Sequence, residues 1–374
     1  MSTRRFIPWL GLFVAGVAAV IAALLLLSRG GSTAPGSLAA TAPREDPGAS
    51  PAAPAPPGRA PLPAAGAPPQ ADAAPARAME PAKRRVKAGW GKGRGELGRA
   101  EPSSGNPEGP TAVAWDASGR VLVLDRVNAR VVAYDERGEA VGHVPTAVRS
   151  PQELLPTDDG HLLVLDRTAD RTVAVHDAQG KLVGELPIEG SGVEDGGDVT
   201  GMFVEGDSVY VETGHAGLVR IGDTSGQPDA ERPTLAGRPT RDGRALLRAE
   251  LVDRAAGVVR VRLLDRQTGQ ERLARNVSLG TPLFAIAQLD SDRSGRVYLA
   301  VHAGRETPSG EVVGEELRVA CLGPSLEPRG MARLPPNVLP DESFRDLAVT
   351  DDGRLLYMHR TTAGVTVDTY ACAP

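Results

Sequence analysis

The chain has 374 residues, a net charge of −5, six histidines, two cysteines and 3% aromatic residues. That balance leaves no basic footprint for nucleic acid, so no nucleic-acid partner is expected. The His and Cys counts exclude a zinc ribbon or a disulfide-dense scaffold, and so few aromatics poorly suit sugar platforms or base stacking.

Residues 1–5, MSTRR, carry positive charge. From Phe6 to Ser28 the run FIPWLGLFVAGVAAVIAALLLLS has no charged residue. A signal-peptide core is about 7–15 apolar residues long and a spanning helix about 20. The run therefore predicts a transmembrane signal-anchor helix over 6–28. Arg4 and Arg5 before it favour a cytoplasmic N-terminus over residues 1–5, which puts the rest of the chain outside the cytoplasm, on the periplasmic side where the cell has one. Trp9 suits an interfacial position. The alternative is a long cleavable signal cut near SLAATA. Residues 29–82 are Ala- and Pro-rich and lack the branched and aromatic residues that bury a core, so they predict a disordered or polyproline linker. At about 3.1 Å per residue, some 50 residues reach on the order of 100 Å. The linker reads as a tether.

From residue 83 to 374 the chain repeats. DASGRVLVLDRVNARVVAYDERG is followed by TDDGHLLVLDRTADRTVAVHDAQG, with Gly119 and Gly160 about 41 residues apart. Looser copies follow: EGDSVYVETG, RDGRALLRAEL, RSGRVYLAVHAG and DDGRLLYMHR. Each sets a turn glycine (Gly119, Gly160, Gly206, Gly243, Gly295, Gly353) before an apolar alternating strand. Six units of about 40 residues, each with several short strands, predict an all-β six-bladed β-propeller. The last unit has strands near FRDLAVT, GRLLYMH and GVTVDTYAC and lacks a fourth. The segment RRVKAGWG belongs to no other unit, and an open ring leaves strand edges exposed. It is expected to supply the missing strand, with Lys83, Arg84, Arg85 and Lys87 as its solvated flank.

Pro110, Asp116, Gly119, Asp125, Asn128, Arg130 and Gly138 make the first copy resemble an NHL repeat, and GWGKGRGELG resembles the usual lead-in. The second copy keeps Asp166 and Arg171 but has Ala169 in place of Asn. The resemblance implies a propeller and little about chemistry.

No nucleophile elbow, zincin, phosphate-loop or C-x-x-C motif is present. Six or seven residues after each turn glycine stand Asp125, Asp166, Glu212, Glu250, His302 and His359. On one ring around the axis, such groups could hold a divalent cation such as zinc. The opposing reading is a structural Asp–Arg pair in each clear repeat, Asp125 with Arg130 and Asp166 with Arg171. Cys321 and Cys372 fall near the ends of third strands in the last two units. A disulfide between them is open to an exported domain, unless equivalent positions point the same way round the ring. Three functions are compatible with these features. The first is a membrane-tethered module that binds a ligand or a protein partner of the cell envelope. The second is a propeller enzyme of the lactonase or lyase type with a metal in its channel, which rests on analogy of fold. The third is a structural part of an envelope complex.

Overall fold

The computed structural model describes residues 72–73 and 81–371, apart from 216, 308–311 and 340. The anchor expected over 6–28, nearly all of the linker expected over 29–82, and Cys372 lie outside the described residues. Among the described residues no helix is long and apolar enough to cross a membrane.

Two strands precede the repeats, β1 (Asp72–Ala73) and β2 (Pro81–Ala88). Blade 1 then holds β3 (Ala112–Trp115), β4 (Val121–Asp125), β5 (Arg130–Tyr134) and β6 (Ala140–Pro145). Blade 2 holds β7 (Glu153–Pro156), β8 (Leu162–Asp166), β9 (Thr172–His176) and β10 (Leu182–Pro187). Blade 3 holds β11 (Val199–Glu205), β12 (Ser208–Thr213), β13 (Gly217–Asp223) and β14 (Thr234–Leu235). Blade 4 holds β15 (Arg238–Pro239), β16 (Ala245–Asp253), β17 (Val258–Asp265) and β18 (Glu271–Ser278), with β1 parallel on its outer edge. Blade 5 holds β19 (Leu283–Ser291), β20 (Val297–Glu306), β21 (Val312–Leu322) and β22 (Pro328–Leu334). Blade 6 holds β23 (Leu347–Val349), β24 (Arg354–Thr361) and β25 (Gly364–Ala371), and β2 is its fourth strand. The six sheets form a six-bladed β-propeller.

All six turn glycines lie between the first and second strands of their blades, at φ from +59° to +90°. That left-handed region strains any residue with a Cβ, which is why glycine marks the repeat. The second strands differ from the alternation expected of them. β4 (VLVLD) and β8 (LLVLD) are buried at every position. Neighbouring blades cover both faces of an inner strand, so its apolar run is continuous. Alternation survives at the rim, in β6.

Ring closure follows the expected route, and the closing strand starts at Pro81 rather than at 83. Val86 and Ala88 of β2 enter a core shared by Leu356, Met358, Val365 and Val367 of blade 6 with Val113, Val121 and Val123 of blade 1. Lys83, Arg84 and Lys87 are exposed, while Arg85 is half-buried with its guanidinium 5.0 Å from the Trp115 ring centre. Arg84 Nε donates to Asp368 at 3.0 Å, and Thr369 Oγ1 donates to the Lys83 carbonyl at 3.1 Å. A Cβ at Gly364 would stand 2.1 Å from the Ala88 carbonyl oxygen, so glycine is what lets β2 seat there.

Val86 is 1% exposed, and nothing apolar around it could satisfy a carboxylate. Val86→Asp is expected to cost about 3 kcal/mol or more, while Lys87→Ser on the solvent side is nearly neutral. Urea unfolding of both variants checks this, and equal small losses would deny β2 a part in the core.

Candidate functional site: an ion-paired cavity on the propeller axis

Asp125 ends β4 and is fully buried. It accepts hydrogen bonds from Gly98 N at 2.9 Å, Asn128 Nδ2 at 2.8 Å and Arg130 Nε at 2.9 Å. Asn128 Nδ2 also donates to the Gly91 carbonyl at 3.0 Å, and Arg130 Nη2 to those of Gly93 and Glu96 at 2.9 and 2.8 Å. The Asp–Asn–Arg set of the first repeat therefore grips the segment that joins β2 to blade 1. In the second repeat the expected Asp166–Arg171 pair does not form. Both Asp166 oxygens are taken by backbone N–H groups, those of Ser150, Thr168 and Ala169 at 2.7–3.1 Å. Arg171 pairs with Glu189 at 3.0 Å instead.

The other ring candidates scatter. β16, β20 and β24 have nine, ten and eight residues against five in β4 and β8. Glu250, His302 and His359 consequently fall inside their strands rather than at the ends. Glu250 is exposed and pairs with Arg262 at 2.7 Å. His302 stacks on Phe284 and lies 3.5 Å from Glu315, and His359 Nε2 lies 2.9 Å from the Pro336 carbonyl. Among the described residues no three His, Cys, Asp or Glu side chains come together as a metal-holding group. Cys321 is buried and in disulfide linkage. Its expected partner, Cys372, lies outside the described residues.

The chemistry of the molecule gathers elsewhere. A cavity of about 310 Å³ lies on the axis, lined by the first strands of all six blades and the turns that follow them. At its buried end stand Glu153, Glu212, Arg238 and Arg345. Glu153 accepts from Met202 N at 2.8 Å and contacts the Arg345 guanidinium across blades 2 and 6. Arg238 binds Glu212 through Nε at 3.4 Å and Nη2 at 3.2 Å, above the ring of Phe203. Gly201 makes room for this group. A Cβ there would lie 2.4 Å from Arg345 Nη2 and 3.5 Å from Arg238 Nη2. Phe344 and Arg345 cover this end, held by backbone N–H bonds to the Thr111 carbonyl at 3.0 and 2.9 Å.

Toward the turn glycines the charges become exposed. Arg241 binds Asp290 at 3.1 Å and Asp351 at 2.9 Å. Arg293 reaches Asp351 at 2.5 Å and Asp158 at 3.3 Å. Blades 2 and 5 face each other across a ring of six, so Arg293–Asp158 crosses the mouth. Side-chain exposure runs from 4% at Arg238 to 62% at Arg293 and 87% at Asp158. The mouth therefore opens on the face of the turn glycines, opposite the second-strand ends where the sequence placed a site.

Burial alone raises a carboxyl, and the Glu153 carboxyl stands above its usual range despite Arg345 and Arg238. At Asp290 burial is outweighed by Arg241 and Arg238, and its carboxyl is held down. Glu212 also resists burial, through Arg238 and His215, and sits at about 2. Sequence reasoning missed Glu153, Arg238, Asp290 and Arg345. Their signal is a charged residue about five to eight positions before a turn glycine, inside or beside a short inner strand.

No family model and no curated protein matches the chain. The chain is similar to solved structures of low identity. Kuenenia stuttgartiensis hydrazine synthase is 16% identical over 70% of this chain and 79% of that one, with a TM-score of 0.44. A streptogramin B lyase is 10% identical over 73% and 96%, at 0.41. A member of the DUF4221 family from Bacteroides vulgatus is 11% identical over 78% and 97%, at 0.45. The class of this protein, a six-bladed propeller, rests on its own strand pairing.

Glu212 supplies a pH test. Its carboxyl is near 4.5 when unfolded and about 2 when folded. Stability from a depressed carboxyl is present above the unfolded value and lost as pH falls through the folded one, here a contribution of roughly 3 kcal/mol. Glu212→Gln should be less stable than wild type at pH 7, with the gap closing between pH 4.5 and 2. The raised Glu153 acts in the opposite sense, and less so in Glu212→Gln, because the Glu212 charge is one of the causes that raise it. A gap constant over that range in denaturant titrations would contradict the Glu212–Arg238 pairing.

Proposed function

We propose that this protein is a membrane-tethered, extracytoplasmic propeller that acts as a binding module. Residues 6–28 anchor it, residues 29–71 hold the propeller away from the membrane, and an envelope protein docks on the face that carries the turn glycines. The reading is carried by one observation. Opposed charges at Asp158 and Arg293 are exposed, with half-buried Asp351 beside them, around a cavity whose far end is buried and ion-paired. Exposed charges of both signs on a rigid frame select a partner by complementarity more than by area. A disulfide at Cys321 fits an oxidising compartment.

The test is capture of partners from solubilised membranes by the full-length chain, with charge reversal at the mouth. Arg293→Glu is expected to abolish capture, because it repels Asp158 and Asp351. Ala363→Lys, on an exposed turn between β24 and β25 at the opposite face, is expected to leave it intact. Identical capture by wild type and Arg293→Glu would remove the mouth from the account.

A further inference from the structure

We propose that the axial cavity is a binding site for a small organic carboxylate, held between Arg238 and Arg345. The inference takes from the functional reading only that the cavity opens at the mouth, and it adds a ligand class.

Three features point to that class. First, two guanidinium groups converge on one spot. Both lie beside the missing side chain of Gly201, and both are largely buried, with 4% and 11% exposure. Second, they keep unused donors. Arg238 gives Nε and Nη2 to Glu212, while its Nη1 is 3.8 Å from Asp290, too far for a hydrogen bond. Arg345 meets Glu153 through Nε, and its two Nη groups make no hydrogen bond among the described residues. A buried donor left unmade costs free energy, and a carboxylate matches the planar fork of an Arg with paired acceptors. Third, the walls select the rest of the ligand. Leu155, Phe203 and Ala348 line the cavity and are only half-buried, which suits an apolar body. Glu153 and Asp290 stand close by and disfavour a dianion such as phosphate.

About 310 Å³ is at the small end of ligand pockets, which run from about 300 to 1,000 Å³. The Arg293–Asp158 pair across the mouth leaves passage for a small molecule when it parts. Exposed pairs of this kind are weak, on the order of 0–1 kcal/mol, so the mouth opens readily while the buried Arg238–Glu212 pair stays made.

The test uses the full-length chain in detergent with three probes: benzoate, benzamide as its neutral isostere, and inorganic phosphate. Calorimetric titration is expected to show saturable benzoate binding and none for the other two. Two variants locate the site. Gly201→Ala places a methyl group against Arg345, and Arg345→Met/Glu153→Gln removes the guanidinium without stranding the buried carboxylate. Each is expected to weaken benzoate at least about tenfold, while the chain still melts cooperatively. The inference is overturned if benzoate fails to saturate, if benzamide binds equally well, if phosphate binds in its place, or if both folded variants bind as wild type does. The wild-type panel decides this even where a variant fails to fold. Benzoate that competes with partner capture would assign the carboxylate to the partner's chain and overturn the free small molecule. Lost benzoate binding with intact capture would sink this inference alone and leave the proposed function standing.

Discussion

The pairing of β2 with β25 is the interaction on which the rest depends. Blade 6 draws three strands from the C-terminal end of the chain and its fourth from residues 81–88. Without that strand, β25 would present an open edge, and Val365 and Val367 would lose the cover of Val86 and Ala88. The first repeat reinforces the closure. Asp125, Asn128 and Arg130 bind the loop between β2 and blade 1 at both ends, through Gly91 and Gly98. The residues that make this repeat resemble an NHL repeat therefore serve as a latch, and in the second repeat Asp166 holds the preceding loop through Ser150 N without the Asn or the Arg.

Closure also explains the charged axis. Once six short strands are drawn into a ring, their inward side chains meet one another, and no apolar set of the right volume fills the centre here. Instead the acids and arginines of different blades pair across it. Buried ion pairs repay little net energy, because desolvation offsets attraction. Their consequence is geometric: Arg345 from blade 6 contacts Glu153 from blade 2, and Arg238 from blade 4 binds Glu212 from blade 3. These contacts fix where each guanidinium points, and so fix the shape of the cavity.

The fold was legible in the sequence because its signals are local. A glycine at positive φ before an inner strand recurs six times, and each occurrence marks a blade. The closing strand was legible by subtraction, since the last unit was one strand short. Of the site, only Glu212 was legible. Counting from the glycines placed the site at the second-strand ends, which assumes hairpins of equal length. The long β16, β20 and β24 break that assumption and carry Glu250, His302 and His359 to different heights. Arg238 sits in a strand of two residues, and Gly201 works by what it lacks. Neither leaves a periodic trace, because their partners come from other blades and only the ring brings them together.

The account's central claim is that residues 81–88 are a structural strand of the propeller rather than a continuation of the Ala- and Pro-rich segment before it. Amide hydrogen exchange of the full-length chain, resolved by peptide, tests it most directly. The amides of Val86 and Ala88 should exchange as slowly as those of β24 and β25, because they open only when the ring opens. Exchange of residues 81–88 as fast as that of an unstructured segment, with β24 and β25 still protected, would contradict the closure.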